Sequence, residues 1–208
     1  MKLQLALDLV DIKGAKLILN EVHDIIDIVE IGTPFIIKEG VSVIAEIKHA
    51  YPSLEVLADV KIMDAGDHEA RLAYDAGADI VTVLGAAADV TIQKVARTAR
   101  EYQKKVMVDM IAVENIDQRA IQIDKIGVDY ICVHTASDVQ DLGERPLEEL
   151  KCLNAVLQNA KSAIAGGITL EMLQHIIPYQ PEIVIVGSAI TTKQDKRKAA
   201  LECKKVMK

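Results

Sequence analysis

Apolar residues along the chain gather into eight short runs separated by stretches of mixed character. The runs are LQLALD (3–8), DIVEIG (27–32), LEVLADV (54–60), DIVTVLG (79–85), KVMVDMI (105–111), DYICVHT (129–135), SAIAGGI (162–168) and EIVIVGS (182–188). Their starts lie about 20 to 30 residues apart. Each is rich in Ile, Val, Leu and Ala and too short for a buried helix, so each reads as a strand. Between them the spacing changes to that of a helix, as in Val41-Ile44-Ile47 with Lys48, and in Ile92-Val95-Ala96-Ala99. Strands that are nearly all apolar and alternate with helices predict a parallel sheet covered on its outer face. AGAD (76–79) and IGVD (126–129) read as helix-ending glycines turning into the next strand. Eight strand–helix units predict a single α/β domain over 1–208, a (β/α)8 barrel. An open doubly wound sheet is the alternative. Its phosphate fingerprint, Gly-x-Gly-x-x-Gly after the first strand, is missing, and DLVDIKG stands there instead.

Composition narrows what such a barrel can do. Half of the 208 residues are hydrophobic, enough for one sizeable core, yet there is one Phe, five Tyr and no Trp. The core must be aliphatic, and aromatic stacking on nucleobases is hard to arrange. A net charge of −7 argues against non-specific nucleic-acid binding but not against phosphorylated metabolites. Cys132, Cys152 and Cys203 lie far apart without zinc-site spacing and read as reduced thiols. The opening MKLQLALDLVDIKG is interrupted by Asp8 before it reaches signal-peptide length. No apolar run reaches the ~18 residues of a membrane span. A cytosolic protein with no nucleic-acid and no membrane partner is expected.

Chemistry on a barrel of this kind gathers at the C-terminal ends of its strands. Those ends carry Asp8, Glu30, Asp59 with Lys61, Gly85, Asp109, His134, Gly166-Gly167 and Gly187-Ser188. One such charge alone serves equally well as a cap to the next helix, but five of the eight exits are charged. Converging acids repel unless a cation joins them. Asp59 and Lys61 are two apart, so extended backbone points both to the barrel mouth, where they neutralise each other. Asp64 falls three residues later, at the start of a helix, where an N-cap and a site residue look alike. Glu30 and Asp59 offer hard oxygen ligands on neighbouring strands and, with substrate oxygens and water, suit one Mg²⁺. The alternative is a pair of acids satisfied by Lys61. His134 is the one histidine of five at a strand exit, which suits a general acid or base. His23, His49, His68 and His175 fall on predicted helices or near their ends, as surface residues. AIAGGI and IVGSAI close the last two runs, whose loops often bind phosphate through backbone N–H groups. Tight turns at a barrel rim would look the same. These features point to Mg²⁺-assisted chemistry on a small sugar phosphate. An enediolate would be stabilised by the cation and Lys61 while His134 moves a proton.

LALDL, VEIGTP, LADVKIMDAG, VTVLGAA, VDMI, DYICVHT, AIAGGI and IVIVGSAI together resemble the 3-hexulose-6-phosphate synthases of the orotidine 5′-monophosphate decarboxylase suprafamily. The resemblance runs from residue 3 to about residue 192. The Asp-x-Lys-x-x-Asp pattern of Asp59, Lys61 and Asp64 marks the suprafamily rather than one reaction. Glu30 in VEIG resembles its metal-using branch. The related 3-keto-L-gulonate 6-phosphate decarboxylases typically carry Glu, Arg and Thr where this chain has Asp109, Ser137 and Ala165, so all three positions favour the synthase.

The resemblance implies aldol addition of formaldehyde to D-ribulose 5-phosphate, giving D-arabino-hex-3-ulose 6-phosphate. It implies Glu30 and Asp59 as Mg²⁺ ligands, His134 as the base at C1, and Lys61 as the group that stabilises the enediolate. Asp8 and Asp109 are expected to contact substrate hydroxyls or to support Lys61. Gly166, Gly167, Gly187 and Ser188 are expected to hold the phosphate, although Ser188 and Ala189 depart from the Gly or Arg that often follows Gly187 in the family. A homodimer is implied, with Asp64 reaching into the partner's site. The competing readings are the decarboxylase, a ribulose 5-phosphate epimerase, and a barrel that binds a sugar phosphate without acting on it. The epimerase would need several metal-binding histidines, where only His134 is available.

Overall fold

In the computed structural model, which describes residues 1–140 and 146–208, eight parallel strands close into a barrel in the order of the sequence. The first half runs β1 (Lys2–Leu7), α1 (Ile12–Val22), β2 (Ile28–Ile31), α2 (Thr33–Glu39), α3 (Ser42–Ala50), β3 (Glu55–Ile62), α4 (Gly66–Asp75), β4 (Ile80–Leu84) and α5 (Asp89–Tyr102). The second runs β5 (Lys105–Asp109), α6 (Ile116–Asp124), β6 (Tyr130–His134), α7 (Ser137–Gln140), α8 (Leu147–Val156), β7 (Lys161–Ala165), α9 (Leu170–Ile176), β8 (Ile183–Val186), α10 (Ser188–Thr191) and α11 (Lys196–Val206). Every expected run is a strand. The boundaries move at the exits: KVMVDMI leaves the ladder after Asp109 and SAIAGGI after Ala165, because the polar and glycine residues there turn toward the mouth. LEVLADV instead continues to Ile62.

Alternation along the strands builds two cores. Leu3, Leu5, Leu7, Val106 and Val108 pack outward beneath the helices in one large aliphatic layer. Ala6, Ile28, Leu57, Ile80, Met107 and Cys132 belong to a second cluster that fills the barrel itself. Each fully buried Val, Leu or Ile contributes about 1.5–3 kcal/mol. The helical spacings hold as well: Val43, Ile44 and Ile47 are the buried face of α3, and Ile92, Val95, Ala96 and Ala99 lie on that of α5. Among the described residues, no helix is long and apolar enough to cross a membrane.

The N-terminal end of the barrel is braced by charge. Lys2 and Lys105 both reach Glu55, while Lys48 and Lys104 reach the two oxygens of Asp79 at 2.7 and 2.5 Å. Asp79 also accepts the Val56 N–H at 2.9 Å, tying the loop before β4 to β3. Burial pushes both carboxyls up, but their lysines outweigh it and hold them below the usual range. These pairs support the fold and leave the opposite end for chemistry.

Candidate active site

A cavity of about 670 Å³ opens at the C-terminal mouth of the barrel. Every expected site residue except Asp64 lines it: Asp8, Glu30, Asp59, Lys61, Asp109 and His134 as strand exits, with Gly166, Gly167, Gly187 and Ser188 from the last two loops.

Lys61 is the hub. Its Nζ donates to Asp59 Oδ2 at 2.7 Å and to Asp109 Oδ2 at 3.0 Å. The two acids and the lysine meet as expected, but not on a regular strand. From Ala58 to Ile62 the ladder of β3 advances four residues while its partners on β4 advance two, Val81 to Val83. The excess residues bulge, and Lys61 takes a left-handed φ of 48°. Such a conformation costs a side-chain-bearing residue ~1–3 kcal/mol and persists only where its surroundings enforce it. Thr82 enforces it here. Its hydroxyl accepts the Lys61 N–H at 2.9 Å and donates to Asp59 Oδ1 at 2.8 Å. Thr33 Oγ1 lies 2.8 Å from Asp59 Oδ2 on the other side. Burial pulls the lysine's affinity for its proton down, but Asp59 and Asp109 outweigh it and hold its pKa above the ordinary lysine range. The ammonium therefore stays charged at the mouth.

Asp109 connects that charge to the histidine. Its Oδ2 also lies 2.9 Å from His134 Nδ1, and its Oδ1 accepts the Ile111 N–H at 2.9 Å. Burial pushes the Asp109 carboxyl up, yet His134 and Lys61 together hold it below the usual range. An ionised Asp109 fixes the imidazole tautomer with the proton on Nδ1, which leaves Nε2 as the basic nitrogen. The other four histidines are exposed, as expected.

Asp8 and Glu30 behave in the opposite way. Burial raises the Glu30 carboxyl well above its usual range, and the charges of Asp59 and Asp8 add to this. Its Oε2 accepts from Gln4 Nε2 at 2.6 Å, and among the described residues no cation forms an ion pair with it. Asp8 is raised by burial and then by Asp59. It sits so close to the β2–α2 turn that a Cβ on Gly32 would lie 2.0 Å from its Oδ1. The mouth thus holds four acids against one lysine. Among the described residues, no three His, Cys, Asp or Glu side chains converge as a ready-made metal cage.

The glycines after β7 shape the wall. Gly166 has φ 103°, and a Cβ there would lie 2.5 Å from the Thr135 carbonyl oxygen. No other residue lets the chain pass so close to the exit of β6. Ser188 opens α10 directly after Gly187.

Asp64 and Gly85 lie away from this cavity. Asp64 is exposed and does not line the cavity, nor is it the N-cap of α4. That position is Ala65, in a left-handed conformation, whose N–H donates to Asp64 Oδ1 at 2.7 Å. Gly85 ends β4 beside a separate and more open recess, where Arg119 donates to its carbonyl at 2.7 Å. Gln4, Thr33 and Thr82 were not singled out from the sequence, although Gln4 and Thr82 are conspicuous as polar residues inside apolar runs.

A closed barrel with a lysine bridging two acids, one of which orients a histidine, defines a (β/α)8-barrel enzyme. Residues 1–203 match the family described as orotidine 5′-phosphate decarboxylase / HUMPS, and the chain belongs to it. It is 51% identical over 207 residues to the 3-hexulose-6-phosphate synthase of Bacillus subtilis (strain 168), a match covering 100% of this chain and 99% of the relative. The crystal structure of 3-hexulose-6-phosphate synthase from Salmonella typhimurium superposes with a TM-score of 0.98 at 44% identity, covering 100% of this chain and 98% of that one. 3-Keto-L-gulonate-6-phosphate decarboxylase from Vibrio cholerae superposes with a TM-score of 0.88 at 24% identity, over 99% and 96% of the two chains, a likeness of fold alone.

Proposed function

We propose that the chain catalyses the 3-hexulose-6-phosphate synthase reaction, the aldol addition of formaldehyde to D-ribulose 5-phosphate. The observation that carries this is the chain of contacts Asp59, Lys61, Asp109 and His134, in a protein that shares half its sequence with a synthase over its full length. His134 Nε2 takes a proton from C1 of the ketose, and ionised Asp109 stabilises the imidazolium. The negative charge moves onto the adjacent oxygens, where the Lys61 ammonium is already positioned. As C1 bonds to the formaldehyde carbon, the ketose C2 carbonyl re-forms, and the formaldehyde oxygen, now an alkoxide, receives the proton from His134. Asp8 contacts a substrate hydroxyl, while Asp109 supports Lys61.

The donor set fits Mg²⁺. Glu30 is buried without an ion pair among the described residues, and Asp59 still has acceptor capacity beyond Lys61, Thr33 and Thr82. Mg²⁺ commonly takes only one or two protein carboxylates and keeps waters, so the lack of a three-acid cage suits it. Glu30 and Asp59 would hold it. When bound, the ion would supply positive charge that offsets the negative charge developing on the substrate. Four acids repel a phosphate from their side of the mouth, which favours the wall of Gly166, Gly167, Gly187 and Ser188 for it. Asp109, Ser137 and Ala165, which separate synthase from decarboxylase, all line the cavity. Formaldehyde-dependent loss of ribulose 5-phosphate is expected to stop with EDTA and return with Mg²⁺. Full activity after thorough chelation would remove the metal from the reading, and CO₂ release from 3-keto-L-gulonate 6-phosphate without formaldehyde-dependent turnover would favour the decarboxylase.

The exposure of Asp64 outside its own cavity supports a homodimer in which it completes the partner's site. Mixing Asp64→Ala and Asp59→Ala proteins is expected to restore part of the activity, since one site of each heterodimer is intact. Demonstrated subunit exchange without rescue would reject action across the interface.

A further inference from the structure

Gln4 is fully buried in the middle of an otherwise aliphatic strand, LQLAL. It shares the inward register of Ala6, and it lines the floor of the cavity. A buried amide there is unfavourable unless it is satisfied, and this one is satisfied at one end only. Its Nε2 donates to Glu30 Oε2 at 2.6 Å. Its Oε1 has no hydrogen-bond partner among the described residues. A leucine at this position would pack the barrel without leaving a buried oxygen unpaired. The amide is therefore placed for what it does to Glu30 rather than for the core. Among the described residues, Glu30 is anchored by one hydrogen bond, through Oε2.

We propose that Gln4 is a positioning residue: its amide fixes Glu30 Oε2 and so aims the remaining carboxylate oxygen at the divalent cation. This rests on the Mg²⁺ reading given above. A group that orients a metal-binding carboxylate from behind commonly changes metal affinity by roughly 10- to 100-fold when removed. Gln4 differs from Thr82 and Thr33 in kind, because those hydroxyls hold Asp59, which Lys61 also fixes. Among the described residues, Glu30 has Gln4 alone.

The test uses Mn²⁺ as a spectroscopic stand-in for the cation, titrated into the full-length protein in the absence of substrate, with free Mn²⁺ read by electron paramagnetic resonance. Gln4→Met keeps the length and volume of the side chain and removes the amide. Gln4→Asn keeps the amide and is too short to reach Glu30. Both are expected to bind Mn²⁺ roughly 10- to 100-fold more weakly than the wild type. Gln4→Met is expected to stay folded, since it removes the unpaired Gln4 Oε1 while taking the partner from Glu30 Oε2. At saturating Mn²⁺ the KM for ribulose 5-phosphate is expected to stay within twofold of wild type. A folded variant that binds Mn²⁺ as tightly as wild type overturns the proposal and leaves the metal reading standing. Failure of both variants to fold assigns Gln4 to the core and also overturns it. A wild-type protein that binds no Mn²⁺ overturns the metal reading itself, and this proposal with it.

Discussion

Replacing Lys61 by methionine is expected to lower kcat/KM for formaldehyde-dependent turnover about a thousandfold, equivalent to about 4 kcal/mol of transition-state stabilisation. Methionine keeps most of the aliphatic stem, so the loss falls on the ammonium. Two consequences compound. The enediolate loses the fixed positive charge that lies 2.7 Å from Asp59 and 3.0 Å from Asp109. Asp109 also loses one of the groups that hold its carboxyl ionised, which weakens its grip on the His134 tautomer. Breaking a fully buried ion pair typically costs 3–5 kcal/mol. The cost here is expected to be nearer ~2 kcal/mol, because Thr33, Thr82 and the Ile111 N–H still satisfy the two acids and the mouth is open to water. For a chain of this size that corresponds to a fall in melting temperature of about 4–8 °C. Steady-state kinetics and calorimetry on the same preparation separate the two effects. A folded Lys61→Met protein retaining more than about a tenth of wild-type activity would take Lys61 out of the chemistry and favour a barrel that only binds its sugar phosphate.

The bend at Lys61 also shows where sequence reasoning ran out. The eight strands were legible because burial on both faces forces long aliphatic runs, and a side-chain period of two cannot hide among them. The charges at the exits were legible because they stand where the aliphatic runs end. The geometry that brings the charges together was not. Alternation predicts that Asp59 and Lys61 share a face by simple extension, whereas the structure reaches the same pairing through a bulge and a left-handed lysine. That device depends on Thr82, which is 21 residues away in sequence and adjacent only across β3 and β4. Its one sequence signal is a hydroxyl inside the apolar run DIVTVLG, in register with Ile80 on the inward face. Gln4 carries the same kind of signal in LQLALD. Asp64 was ambiguous for a different reason. The residue that caps α4 is Ala65, through its backbone conformation, so no capping side chain announces the helix start.

Glu30→Gln is expected to move activity and stability in opposite directions. Activity with Mg²⁺ should fall by about three orders of magnitude, the several kcal/mol that a cation supplies to a developing pair of charged oxygens. Stability without metal should rise. Glu30 is buried beside Asp59 and Asp8, without an ion pair among the described residues, and all three effects disfavour its charged form. Glutamine has the same shape, carries no charge, and its side-chain oxygen can still accept from Gln4 Nε2. The sign follows from linkage. A carboxyl whose pKa is higher in the folded state binds its proton more tightly there, so stability falls as pH rises from the unfolded value through the folded one. The wild type should therefore match the variant in acid and lag behind it at neutral pH. A deficit of about 1 kcal/mol would show as roughly 2–4 °C in melting temperature. Adding Mg²⁺ should close this gap by stabilising only the wild type, because an ion that binds the native state alone shifts unfolding by mass action. Melts in EDTA and in excess Mg²⁺, at acid and neutral pH, test each step. A Glu30→Gln protein that melts below wild type in EDTA at neutral pH would mean that Glu30 serves the core, and that its unpaired burial is not held in readiness for a cation.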